Sequence, residues 1–137
     1  MGDFNASLTV AASGLRAQNA RMTVIAENLA NADSAGKTPT DTPYRRRMPT
    51  FQAVYDSELG ATKVAVGSVT YDMSAFQSRY EPGHPAADAK GYVKYPNVDP
   101  TIESMDMREA QRSYEANLNV ITATRQMEGQ TLNILKG

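Results

Sequence analysis

The residues best suited to chemistry are few, and their spacing does not bring them together. His84 is the sole histidine, and it stands in a Pro82-Gly83-His84-Pro85 run that reads as a turn. A general base needs further polar groups aimed at the same reacting atom, so a lone proline-flanked histidine reads as a solvated turn residue. Asp88, Asp99, Glu103 and Asp106 could be imagined as a carboxylate cluster. Asp88 and Asp99, however, read as turn and cap residues, and Glu103 and Asp106 as first-turn charges favoured by a helix dipole. Cysteine is absent, which removes a thiolate nucleophile, a disulfide framework and sulfur-ligated zinc. Neither a glycine-rich phosphate loop nor a nucleophile elbow occurs. The pattern predicts no catalytic residue, no metal, no cofactor and no small-molecule ligand.

Charge points the same way. The chain of 137 residues carries 14 Lys plus Arg against 15 Asp plus Glu, so no basic excess exists to neutralise nucleic-acid phosphates. Arg45-Arg46-Arg47 is a short basic run, readable as a solvated cluster or as a contact with another subunit. No stretch of about 18 apolar residues is present to span a membrane. The first residues, Met1 to Phe4, carry neither the basic nor the apolar region of a cleavable secretion signal. The first helical stretch has only Arg16 and Arg21 on its polar face, too few for anchoring at anionic lipid.

Three segments must therefore be explained by packing. Residues 4–32 contain no proline and one glycine, Gly14. Leu8, Leu15, Met22 and Leu29 recur every seven residues, with Ala11, Ile25 and Ala32 in a second seam position and Ala12 and Ala26 beside it. Gln18 and Asn19 break the stripe. Gly14 costs about 1 kcal/mol relative to Ala in a helix interior, which a close helix approach or a bend would explain. At the other end, Asp99-Pro100 reads as an N-cap followed by a first-turn proline, and Lys136-Gly137 as a C-terminal cation and stop. Between them Tyr114, Ile121 and Leu135 share one heptad position, with Leu118 and Leu132 beside them. Val120, Met127 and Ile134 form a second apolar row, and Asn117, Thr124 and Thr131 a polar line between the two. Two apolar seams flanking a polar line suggest a helix with neighbours on more than one side. A single broad core face that tolerates small polar residues is the simpler reading.

The middle holds every proline but Pro100 and every aromatic but Phe4 and Tyr114. Residues 34–49 read as a turn-rich loop. Phe51, Ala53 and Tyr55 alternate as a strand does, as do Val64 and Val66. The alternation resumes out of phase at Val69, Tyr71 and Met73, so a bulge or tight turn is expected at Gly67-Ser68. Residues 80–100 read as loop with a short strand at 92–95. The aromatics are expected to mark a small β-rich core separate from the helices. The resulting fold class is α+β: an antiparallel, coiled-coil-like pair of long terminal helices with a small β-rich middle domain. Its segments are an N-terminal helix over 1–33, the middle over 34–99 and a C-terminal helix over 100–137. So thin a helix pair offsets little of its ordering entropy, so the termini are expected to fray in a monomer and order against neighbours. Repetition of one heterologous contact gives a tube; a self-contained helical adaptor forming a small closed oligomer is the alternative.

Particular motifs go further. Ala12-Ser13-Gly14-Leu15-Arg16-Ala17-Gln18-Asn19-Ala20, followed by Ile25-Ala26-Glu27-Asn28-Leu29-Ala30-Asn31-Ala32, resembles the N-terminal signature of flagellar rod and hook proteins. Ser113-Tyr114-Glu115-Ala116-Asn117 and Val120-Ile121-Thr122-Ala123-Thr124 resemble their C-terminal helix signature. Pro43-Tyr44-Arg45-Arg46 and the run from Tyr80 to Asp99, with Pro82, Gly83, Gly91, Tyr92, Pro96 and Asn97, resemble the proximal-rod subfamily. So does the long connection from Asp33 to Pro43. The likeness implies a structural rod subunit that leaves through the flagellar type III export apparatus without signal cleavage. It also implies assembly in the periplasm with copies of itself, other rod subunits, and base and rod adaptor proteins. Helix residues Leu8, Leu15, Met22, Ile25, Asn28, Leu29 and Asn31 would then form the assembly interface with the C-terminal rows and Asn117. Phe4 and Leu8 resemble an export-gate element of such substrates.

Overall fold

The computed structural model describes residues 2–137; Met1, the first residue read for a secretion signal, lies outside them. Eight elements follow in order: α1 (Gly2–Ala30), β1 (Arg47–Met48), β2 (Phe51–Asp56), β3 (Ala61–Val66), β4 (Thr70–Tyr71), β5 (Gln77–Tyr80), β6 (Tyr92–Tyr95) and α2 (Pro100–Lys136). At 1.5 Å per residue the 29 residues of α1 extend about 44 Å and the 37 of α2 about 55 Å. The α+β class read from the sequence is the one observed.

Local signals set the helix ends. Asp99 Oδ1 accepts the Thr101 N–H at 2.9 Å while the Asp99 carbonyl accepts the Glu103 N–H, the N-cap pattern expected of Asp99-Pro100. α1 stops where Asn31 donates from its side chain to the Glu27 carbonyl and accepts from Ser34 Oγ. Both helices are continuous over their described lengths.

Every strand pairs antiparallel with one partner. β2 pairs β3 with Phe51 opposite Val66 and Asp56 opposite Ala61. Their turn is held by Asp56, whose Oδ1 accepts the Glu58 and Leu59 N–H groups, and by Gly60 at φ +65°. β1 pairs β4, with Met48 opposite Thr70. The phase slip at Gly67-Ser68 is thus neither a bulge nor a hairpin turn. β3 ends, the Gly67 N–H donates to the Thr50 carbonyl, and pairing restarts at Thr70. β5 pairs β6, with Gln77 opposite Tyr95 and Tyr80 opposite Tyr92. The expected strand at 92–95 is present, but its partner was missed because Gln77-Ser78-Arg79 has no apolar alternation.

Two compact units form. Among the described residues one contains 2–22, 49–68 and 108–137; the other contains 23–48 and 69–107. The expectation that the aromatics mark a core apart from the helices fails twice. In the first unit the β2–β3 ribbon lies on α1, where Ser13 Oγ accepts the Val64 N–H at 3.1 Å. Phe51, Tyr55, Tyr71, Tyr80 and Tyr92 are exposed. The second unit's small apolar cluster consists of Ala86, Val93 and Tyr95, flanked by Ala35 and Ala87.

Candidate assembly interface

In the first unit the helices run antiparallel, because Gly14 meets Asn117 while Arg21, farther along α1, pairs with Glu109, farther back along α2. A Cβ on Gly14 would stand 2.8 Å from the Asn117 amide. Close helix approach therefore accounts for this glycine, one of the two explanations its position allowed. The covered α1 residues are Ala11, Ser13 and Ala17 in this unit and Val24, Ile25 and Asn28 in the other. Leu8, Leu15, Met22 and Leu29 are only half-buried, and Ala26, placed beside the stripe, is exposed.

α2 departs further from an ordinary amphipathic helix. Its covered line is Glu103, Ala110, Asn117, Thr124 and Thr131, spaced by seven. Ala110 is 0% exposed and Thr124 is buried. The simpler single-core-face reading would bury the neighbouring leucines and valines instead. Yet Leu118 is 45% exposed, Ile134 79%, and Val120, Met127, Leu132 and Leu135 are all exposed, with Tyr114 and Ile121 half-buried. Either side of the α1–α2 contact opens as a groove. One is lined by Ala6, Ser7, Val10, Ala11, Ala61, Asn117 and Val120, the other by Leu8, Thr9, Ala12, Arg16, Ile121 and Arg125. Exposed apolar rows of this extent are the kind of surface that a protein partner, a membrane or a ligand covers.

The second unit is held by a polar cluster around Glu103, which the sequence reading took for a first-turn helix charge. Glu103 is 1% exposed, accepts from Arg46 Nε, and takes a 3.4 Å hydrogen bond from Asn28 Nδ2. The Asn28 amide is fully used: its Oδ1 accepts the Tyr44 hydroxyl at 2.8 Å and the Arg47 N–H, and its Nδ2 donates to the Arg47 carbonyl. Burial alone would lower the Arg46 pKa, but its bonds to Glu103 and Asp72 outweigh that and hold it raised. Burial likewise raises the Tyr44 phenol, while hydrogen bonds from Ser74 hold the Asp72 carboxyl below its usual range. Among the described residues no buried side-chain nitrogen or oxygen lacks a partner.

Arg45, Arg46 and Arg47, read as solvated or as contacts to another subunit, all have partners within the chain. Arg45 donates to the Asp72 and Ser74 carbonyls and lies 4.1 Å over the Phe76 ring; Arg47 pairs with Glu27. The motif residues near 80–99 are likewise structural. Asn97 Oδ1 accepts the Arg46 N–H and its amide donates to Asp72 and Ser74. Gly91 at φ +88° lies under the Tyr80 ring, and Pro96 is fully buried. Pro82 meets the same glycine. His84 Nδ1 accepts the Ala86 N–H within its turn. Among the described residues no three His, Cys, Asp or Glu side chains converge as metal ligands.

Two family models match. A flagella basal body rod protein model covers residues 8–36, and a flagellar basal body rod FlgEFG protein C-terminal model covers residues 89–134. The flagellar basal-body rod protein FlgC of Agrobacterium fabrum is 46% identical over 99% of this chain and 98% of its own. The FlgC of Bacillus subtilis is 39% identical over 95% and 97%, and that of Salmonella typhimurium 43% over 91% and 92%. The chain belongs to the FlgC family of flagellar basal-body rod proteins. It is a structural component of the rod, as the resemblance implied. The segments matched by the rod-family models carry α1 from Leu8 onward with its C-terminal turn, and β6 with all but the end of α2. No helix among the described residues is long and apolar enough to cross a membrane.

Proposed function

We propose that this rod subunit polymerises through α1 and α2 into the tubular drive shaft of the proximal rod. Residues 1–33 and 100–137 enter the tube, and residues 34–99 form the part outside it. One observation carries this reading: the contact line of α2 is polar and small, while Leu118, Val120, Met127, Leu132, Ile134 and Leu135 in the apolar rows flanking it are exposed. A self-contained pair would bury its leucines against its partner helix. A helix with open rows on both flanks fits a position among several neighbours. Those neighbours are copies of this chain, other rod subunits, and base and rod adaptor proteins. Export proceeds through the flagellar type III apparatus without signal cleavage, with Phe4 and Leu8 in the first turns of α1 as the recognition element. The subunit works in the periplasm-spanning rod without catalysis, nucleic acid, membrane insertion or a small-molecule ligand.

Leu118→Asp or Ile121→Asp places a charge in an apolar seam and should abolish incorporation into purified basal bodies while leaving secretion intact. Normal incorporation of both variants would end the proposal. Circular dichroism and sedimentation of the isolated chain test the closed-oligomer alternative. The tube reading expects a monomer with helical content below that of the assembled subunit, whereas a stable, fully helical dimer would favour a self-contained module.

A further inference from the structure

Two charges interrupt the apolar rows of α2. Arg125 stands between Leu118 and Leu132, and Glu128 between Ile121 and Leu135, each at the shared heptad position. They are one helical turn apart, the spacing at which opposite charges readily pair, yet neither belongs to any ion pair among the described residues. Arg125 instead lines the groove floored by Leu8, Ala12 and Ile121, and across that groove stands Arg16, also exposed and also without an ion-pair partner among the described residues. Two cations beside one apolar floor with no carboxylate between them are arranged for an apolar ridge that brings a carboxylate of its own.

This chain carries such a ridge. Glu128 is followed at one-turn intervals by the exposed Leu132 and Leu135, the i, i+4, i+7 spacing of a helix laid in a groove. The other helical carboxylates without an ion pair fit less well. Glu115 is followed at the same spacings by the polar Asn119 and Thr122, and Asp3 lies in the first turn of α1. We propose, on the basis of the tube reading above, that a second copy of this chain seats its Glu128–Leu132–Leu135 ridge in the Arg16–Arg125 groove. Groove and ridge are successive stretches of the same α2 rows built from different residues, so copies meeting head to tail, ridge into groove, make a heterologous contact that propagates from copy to copy. The charged group in the apolar seam fixes the axial register, because a slip along the seam leaves Glu128 desolvated without a cation.

The absence of cysteine makes the test direct. Two full-length variants, Arg16→Cys and Glu128→Cys, are co-expressed, and mild oxidation of purified rods should give a disulfide-linked pair of this chain at least about tenfold above either variant alone. Independently, Glu128→Arg should lower rod incorporation at least about tenfold, because it sets a third cation against Arg16 and Arg125. Adding Arg16→Glu and Arg125→Glu to the same chain should restore it. All substituted positions are partly or fully exposed, so circular dichroism of each variant should match wild type. An adduct to another rod protein, or no adduct and no rescue in cells where Leu118→Asp still blocks incorporation, overturns the groove assignment while leaving the tube reading standing. Normal incorporation of Leu118→Asp and Ile121→Asp removes both.

Discussion

In the unit of residues 23–48 and 69–107, the largest fully buried side chain is a carboxylate, Glu103, followed by Val93, Val98, Asn28 and Pro96; in the other unit the fully buried side chains include the small Ser13 and Ala110. The Glu103 unit is tied by side-chain hydrogen bonds from Arg46, Asn28, Tyr44 and the Asn97 amide. The unit of residues 2–22, 49–68 and 108–137 is tied by small residues in close contact, with Leu118, Met127, Ile134 and Leu135 facing outward. One unit hydrogen-bonds the polar groups of its own interior, and the other leaves Leu118, Val120, Met127, Ile134 and Leu135 exposed. On the tube reading proposed above, a rod subunit combines an internally bonded unit with a helix pair whose outer rows are stabilised by assembly.

The largest expected effect lies in the self-sufficient unit. Arg46→Ala leaves Glu103, 1% exposed, with only the long Asn28 bond. Stranding a buried charge in this way costs about 3–5 kcal/mol. Hydrogen exchange should show it as lost protection in β6 and the first turns of α2. A loss below about 1 kcal/mol would mean that the polar cluster does not hold this unit.

Ala110→Leu comes next. Ala110 is 0% exposed on the contact line of α2, and forcing a larger side chain into a covered site costs about 1–3 kcal/mol. The same substitution at the outward Ala116 should change stability by less than about 0.5 kcal/mol, and urea unfolding of the two variants compares the faces of one helix. Equal effects would erase the distinction between covered line and open rows.

Much of this contrast was visible in the sequence, but which row meets the partner helix was not. Heptads at Leu8, Leu15, Met22 and Leu29 and the rows flanking Asn117, Thr124 and Thr131 revealed two helices with more apolar surface than one partner needs. Which row faces inward depends on how closely the backbones approach, and only Gly14 hinted at that. Asp99-Pro100 fixed the start of α2 because capping is local chemistry. Glu103 was misread for the complementary reason: an acidic residue in a first turn has a sufficient local explanation, and its real partner, Arg46, is 57 residues away. β5 carried no alternation because its outward residues are polar and its pairing comes from β6.

Acidification should separate the units by a smaller margin. The Asp41, Asp72 and Asp88 carboxyls in the Glu103 unit, and Asp56 in the other, are held below their ordinary value of 3.8 by backbone N–H and side-chain donors. A depressed folded-state pKa contributes stability above the unfolded value, lost as pH falls through the folded one. Protection should therefore be level from pH 7 to about pH 4 and decline below it, first in the unit holding three of the four. Uniform decline, or decline beginning near pH 6, would point to other groups.

The smallest effect is the most specific to the helix contact. Gly14 and Gly129 both lie inside helices, where Ala is favoured by about 1 kcal/mol. A Cβ at Gly129 meets nothing within 4 Å, whereas one at Gly14 comes within 2.8 Å of the Asn117 amide. That amide donates to the Ser113 carbonyl at 3.1 Å, so it can move only by weakening this bond. Gly129→Ala should raise the isolated chain's stability by about 1 kcal/mol, and Gly14→Ala by clearly less or not at all. Equal gains would show that the helices do not meet closely at Gly14. If Gly129→Ala gains stability alone yet lowers incorporation into the rod, the open space at Gly129 is where a neighbouring subunit's backbone approaches, and the assembly-dependent unit extends to the end of α2.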